Sequence, residues 1–231
     1  MGNSGYKGFT PEVRKFYQEL EKNNNKEWFQ ANKARYEEIV REPAKELVYE
    51  MGLRFAKSGL PYYADPKKSL FRVNRDIRFS ANKDPYKTNF GVLFPFNFPY
   101  EASKAVEVPG LYFHIEAKES FIAGGLHMPS SDKLKELREL IAGDWKELFK
   151  IVNQKKFKAE FPIIFAEDTL KNMPRGYEPD HPAAEWLKMK GYTVGINLEF
   201  KEVYGPKLAD ILERKGKVIA PFLEFLGNAG K

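Results

Sequence analysis

The sequence predicts a single α+β domain, a mainly antiparallel β-sheet packed by N-terminal and C-terminal helices. Three observations carry this prediction. Apolar residues recur at helical spacing through the first quarter of the chain. The middle holds short runs rich in aromatic and β-branched residues, separated by Gly, Pro and Asn. A long amphipathic stretch closes the chain. Helices first, strands next and mixed elements last is the order of an α+β fold, not of alternating βαβ units.

Thr10 is a fitting N-cap, with Pro11 at the first helical position and Val13, Phe16, Tyr17 and Leu20 on one face. The run Asn23, Asn24, Asn25 breaks this helix, and Asn25 can cap the next, whose stripe is Trp28, Tyr36, Ile39 and Val40. Pro43 opens a third helix through Leu47, Val48, Met51 and Phe55, ended by Gly59 and Pro61. Residues 69–79, 88–96, 110–117 and 121–128 are expected strands. Helices are expected again over 131–142 and 144–154, and a strand near 161–166. Residues 173–179 form a loop, and Asp180 is placed to cap a short helix ending at Gly191. Residues 192–200 read as a strand, and Pro206 opens a final helix with Leu208, Ile211, Leu212, Val218, Ile219, Phe222 and Leu226 on its apolar side. Residues 1–8 are expected to be disordered, 9–226 to form the one domain, and 227–231 to fray.

Composition narrows the chemistry. The 231 residues contain no cysteine, which excludes disulfides, CxxC zinc sites, cysteine-ligated iron–sulfur clusters and thiol catalysis. Histidine occurs three times, as His114, His127 and His181. No apolar run approaches the roughly 18 residues of a membrane helix, so no membrane partner is expected. No apolar leader follows Met1, and Tyr6 stands where a myristoylation signal needs Ser or Thr. The cytoplasm is therefore the expected location. A phosphate loop, a dinucleotide-binding glycine fingerprint and a GxSxG elbow are all missing. Nothing in the residues names a cofactor.

The net charge is +6, and most of it is local. Residues 66–90 hold seven bases, Lys67, Lys68, Arg72, Arg75, Arg78, Lys83 and Lys87, against Asp76 and Asp84. A strand over 71–79 would put Arg72, Asn74, Asp76 and Arg78 on one face and leave Arg75 on the apolar one, a costly position without a partner or a bulge. The expected function of the segment is an anion pocket. Arginine forks match carboxylate or phosphate, Lys83 and Lys87 close over the ligand, Tyr86 offers a hydroxyl, and Asp76 orients an arginine or acts as a base. A solvated, salt-bridged strand face is the alternative.

Residues 110–128 read as a hairpin turning at Glu119 and Ser120. The pairing that separates apolar from polar faces sets Tyr112, His114 and Glu116 opposite His127, Gly125 and Ala123. Two histidines, a carboxylate and a tyrosine then share a face suited to acid–base work. Two imidazoles and a carboxylate are also a metal-binding set, though no metal site is assigned and a purely structural role is an alternative. At residues 174–182, Arg175 and His181 near a helix N-terminus offer a further anion contact, with a capped loop as the alternative.

Three segments, residues 72–87 (RVNRDIRFSANKDPYK), 110–125 and 174–182 (PRGYEPDHP), together with the Trp28-Phe29 helix, resemble domain of unknown function 2461 over about residues 9–200. The matching positions are Arg72, Arg75, Asp76, Arg78, Phe79, Ser80, Lys83, Pro85, Tyr86, Lys87, Arg175, Gly176, His181 and Pro182. The resemblance implies one domain and one shared site; it implies no activity. The leading expectation is thus a pocket for a small anionic ligand, and its extension is an enzyme in which Asp76, His114, Glu116 and His127 do the chemistry. The ligand contacts would be Arg72, Arg75, Arg78, Lys83, Tyr86, Lys87, Arg175 and His181. The alternatives are a nucleic-acid-binding protein using the basic segment and a protein-interaction module using Phe94, Phe96, Phe98 and Tyr100.

Overall fold

The computed structural model describes residues 5–78, 81–97, 107–165 and 169–231. The N-terminal helices are α1 (Glu12–Lys22), α2 (Lys26–Ala31) and α3 (Lys33–Tyr36); a π-helical turn (Glu37–Arg41) then leads into α4 (Glu42–Lys57). Asn25 caps α2 by accepting the Trp28 N–H, as its position predicts. Thr10 contributes its carbonyl and not its side chain, receiving the Val13 N–H at 3.1 Å.

Five strands follow among the described residues: β1 (Asn89–Pro95), β2 (Gly110–Glu116), β3 (Ser120–Leu126), β4 (Ile163–Phe165) and β5 (Tyr192–Asn197). They form one sheet in the order β1-β2-β3-β5-β4, and every neighbouring pair is antiparallel. The remaining helices are α5 (Ser131–Val152), α6 (Lys155–Glu160), α7 (Ala184–Lys188), α8 (Phe200–Val203) and α9 (Lys207–Gly227). α5 is kinked at Asp144, where two helices were expected to meet. The fold is α+β, and no helix among the described residues is long and apolar enough to cross a membrane.

One sheet face is the core. Val92 and Phe94 of β1, Leu111, Phe113 and Ile115 of β2, Ile122 of β3 and Val194 of β5 are all buried on it. α9 lies across this face so closely that a Cβ at Gly124 would sit 2.3 Å from Ile219 Cδ1. α1 packs on β2, and α4 and α5 pack on α9. Tyr6 and Ala229, near the two ends of the chain, are also buried.

Three local expectations are corrected. Residues 69–79 do not form a strand. The segment touches β1 through the Leu70–Val92 bridge, then closes on itself at Asn74–Tyr86. Its own side chains break the ladder, because Asp76 turns back to accept the Arg78 N–H and the Arg78 guanidinium. Arg75 is therefore not on a strand's apolar face; it is half-buried, with Nε enclosed and unpartnered among the described residues.

The hairpin register is also shifted. Tyr112 faces Ala123 and His114 faces Phe121, so the turn is Ala117-Lys118. Ser120 belongs to the strand, where its hydroxyl donates to Leu198 O at 3.0 Å. The shift is four residues, an even number, so Tyr112, His114 and Glu116 keep the face expected for them. His127 does not face Tyr112. It lies past the end of β3, where Met128 adopts a left-handed φ of 48° and turns the chain away.

Asp180 does not cap α7, which begins only at Ala184. The His181 Nδ1 accepts the Ala183 N–H at 3.0 Å instead.

Candidate functional site

The sheet face turned away from α9 lines a cavity of about 1020 Å³. Its floor is made of small residues, among them Ala123 and Gly125, and its walls are Phe71, Tyr112, Phe121, Phe165, Leu93 and Val108. Strand alternation puts every second residue of β2 on this face. Tyr112, His114 and Glu116 are consequently a row, and they are joined by hydrogen bonds. Tyr112 Oη lies 3.1 Å from His114 Nδ1, and His114 Nε2 lies 3.3 Å from Glu116 Oε2. The imidazole is buried and stacks on Phe121 with centroids 4.5 Å apart and planes 11° from parallel. Gly91 makes room for the tyrosine, since a Cβ there would stand 2.4 Å from Tyr112 Oη.

Burial governs the protonation of this row. It pulls His114 down to about 4, so the ring is neutral near pH 7. It pushes the Tyr112 hydroxyl up to about 12, with the Glu116 charge adding to the effect. It raises the Glu116 carboxyl, helped by Glu21.

A pH dependence of stability follows. The unfolded chain takes up a proton at the ordinary imidazole value of about 6.5, the folded chain only near 4. Between those values the unfolded state binds more protons, so stability falls as the pH falls. Above 6.5 the group contributes nothing to the slope. The raised Glu116 carboxyl acts in the opposite sense, stabilising the fold as the pH falls toward the ordinary carboxyl value. From pH 7 to pH 4.5 the His114 contribution is a loss of about 2–3 kcal/mol. Urea unfolding of the parent and of His114→Phe at both values should show that the variant lacks this increment.

Lys87 supplies charge at one wall. It is half-buried, 5.2 Å from the Phe71 ring, and burial together with Arg72 and Arg75 lowers its ammonium from the usual range. Lys68, Lys190, Glu119 and His127 also line the cavity, and His127 is exposed. Of the catalytic and ligand-binding residues expected from the sequence, His114, Glu116, His127 and Lys87 meet here, beside Tyr112 of the same strand face.

The others lie elsewhere. Asp76 is exposed between Arg78, at 2.7 Å, and Arg72, at 3.8 Å. The Arg78 guanidinium holds its carboxyl well below the usual carboxylate range, which leaves it a poor base. Lys83 Nζ donates to Ile77 O at 3.0 Å. Tyr86 is buried and stacks on Phe29 at 4.0 Å. Arg175 borders a separate hollow with Lys135, Arg138 and Tyr177. His181 clamps its loop to α5, with Nδ1 accepting from Ala183 and Nε2 donating to Ala142 O at 3.2 Å. Phe94 and Phe96 are core, while Phe98 and Tyr100 lie outside the described residues.

Sequence reasoning did not single out Phe71, Phe165, Lys190 or Thr193 as lining residues. Thr193 Oγ1 is enclosed without a hydrogen-bond partner among the described residues. Strand parity was the available signal for Thr193, but its pairing with Gly125 spans 68 positions and only the folded sheet reveals it. Among the described residues no group of three or more His, Cys, Asp and Glu is placed to hold a metal ion.

Fold and cavity together define an α+β protein with a pocket on the face of an antiparallel sheet turned away from its C-terminal helix. The chain matches, over residues 12–225, the family described as conserved hypothetical protein (DUF2461), and it belongs to that family. No curated protein and no solved structure matches it.

Proposed function

We propose that the sheet-face cavity binds a small amphipathic anion, with an apolar or aromatic body against Phe71, Phe121 and Phe165 and its charged group at Lys87. The observation that supports this most is Lys87 itself. An ammonium half-buried in an aromatic wall, with two guanidiniums nearby, gains more from a bound anion than a solvated lysine does. The aromatic lining gives most of the contact area, as in most small-molecule sites. In this reading the acid–base chemistry belongs to the row on β2.

The test uses two probes with the same aromatic body, 1-anilinonaphthalene-8-sulfonate and the uncharged N-phenyl-1-naphthylamine. Both should gain fluorescence on binding the folded protein. Lys87→Ala should weaken the sulfonate about 10-fold, the value of one charge-assisted hydrogen bond, and leave the neutral probe unchanged. Equal effects on both probes would remove Lys87 from anion recognition.

Exposed Arg72, Arg78, Lys83 and Phe71 favour a second reading, binding of single-stranded nucleic acid. A labelled oligonucleotide should then bind with an affinity that drops steeply between 50 and 200 mM salt. Binding unaltered by Arg72→Ala and Lys87→Ala would dismiss it.

A further inference from the structure

We propose that Tyr112 is the group in this cavity that exchanges a proton with a bound ligand, and that His114 is a positioning residue that relays this proton to Glu116. The inference rests on the cavity being a ligand site, and it reassigns the chemistry within it.

Histidine is the usual acid–base group, but the geometry withholds it here. Both ring nitrogens of His114 are committed, Nδ1 to Tyr112 and Nε2 to Glu116. One face of the ring is covered by Phe121. No nitrogen lone pair or N–H is left to meet a ligand. The two ends of the row are different, because Tyr112 and Glu116 are only half-buried and both border the cavity. The absence of a side chain at Gly91 leaves the Tyr112 hydroxyl its place above β1.

The row conducts a proton without charging the imidazole. In one tautomer the Tyr112 O–H donates to Nδ1 and Nε2–H donates to Glu116. When the phenol proton moves to Nδ1, the Nε2 proton passes to the Glu116 carboxylate. One proton enters the ring and one leaves, the phenolate replaces the carboxylate as the anion, and the net charge of the row is unchanged. The reverse sequence makes Tyr112 an acid. Burial favours this concerted path, since an imidazolium would be costly in the same place. The ligand class is an amphipathic anion whose body carries a carbonyl or hydroxyl oxygen that gains or loses a proton at Tyr112.

The test uses phenylmethanesulfonyl fluoride on the full chain, an uncharged reagent that does not depend on the lysines. Tyr112 Oη attacks the sulfonyl sulfur; the O–S bond forms, the S–F bond breaks, fluoride leaves, and the phenol proton passes to His114 as Nε2–H moves to Glu116. Peptide mass spectrometry reads the rate at each tyrosine. Tyr112 is expected to react about 10–100-fold faster than Tyr49, the most exposed tyrosine among the described residues. His114→Phe, which keeps the ring stack on Phe121, should bring the rate down to that of Tyr49, and Glu116→Gln should lower it several-fold. A Tyr112 rate no higher than that of Tyr49, or one unchanged by His114→Phe, overturns the relay. Should His114→Phe fail to fold, Glu116→Gln decides alone, and a rate equal to the parent's overturns it. A protein that binds the anilinonaphthalene probes yet fails this test loses only the relay, whereas one that binds neither probe loses the pocket itself.

Discussion

Gly125→Ala is expected to cost about 4 kcal/mol of folding stability and to abolish probe binding in the cavity. Gly125 sits on β3 with φ 135°, a conformation that side-chain-bearing residues rarely adopt. A Cβ there would lie 1.9 Å from the Tyr192 carbonyl oxygen and 2.9 Å from its carbon. Both atoms are backbone of β5, so no rotamer change relieves the clash; the strands must part. Left-handed strain contributes about 1–3 kcal/mol and overpacking about 1–3 kcal/mol more. This is a large part of the total stability of an ordinary domain, about 5–15 kcal/mol. The same separation would widen the cavity floor at Thr193, the pairing partner of Gly125. Gly143→Ala is the control. It lies in α5 with nothing within 4 Å of the added atom, and should stabilise by up to about 1 kcal/mol. Urea midpoints moving in opposite directions for the two variants would confirm the reading, and a Gly125→Ala midpoint equal to the parent's would contradict it.

Glu160→Ala is expected to cost about 3–5 kcal/mol, far more than Lys215→Met. Lys215 is a charged residue buried in α9, 98% removed from solvent. Its ammonium has two acceptors on one residue, Glu160 Oε2 at 2.5 Å and the Glu160 carbonyl at 2.8 Å, and it lies 5.4 Å from the Phe161 ring. Deleting the carboxylate strands a positive charge in an apolar setting, whereas methionine replaces the lysine stem with a group of similar volume and no charge to desolvate. The Glu160 carboxylate left behind in Lys215→Met is partly exposed and keeps Arg214 at 3.2 Å. Thermal unfolding of the two single variants should therefore give a clearly lower midpoint for Glu160→Ala. Equal losses would mean that the pair itself, not the stranded charge, sets the cost.

The two halves of the candidate site were legible to different degrees. The β2 row could be read directly, because strand parity ties Tyr112, His114 and Glu116 to one face whatever the pairing partner. The four-residue error in hairpin register left that face intact, but it misplaced His127 and concealed the Phe121 stack on His114. The basic segment was the opposite case. Its charges could be counted, and the count suggested a converging cradle. In the fold Asp76 satisfies Arg78 locally, Lys83 binds a nearby carbonyl, and Lys87 alone among the segment's expected ligand contacts lines the cavity. His181 shows the same limit, since a histidine beside a proline and a capping aspartate reads like an anion contact until both its nitrogens are found bonded to backbone.

The sequence by itself determined the α+β class, the spacing of most helices and strands, and the family. These depend on periodicity and turn chemistry, which act over a few residues. The tertiary structure decided which polar groups meet. The cavity joins residues from β1, β2, β3, β4, β5 and the start of α5, brought together by the antiparallel order β1-β2-β3-β5-β4. Such contacts depend on register and on how close the backbones approach, down to the single atom that Gly91 and Gly125 lack. Local propensity carries no record of either, so the composition of the site had to come from the folded sheet.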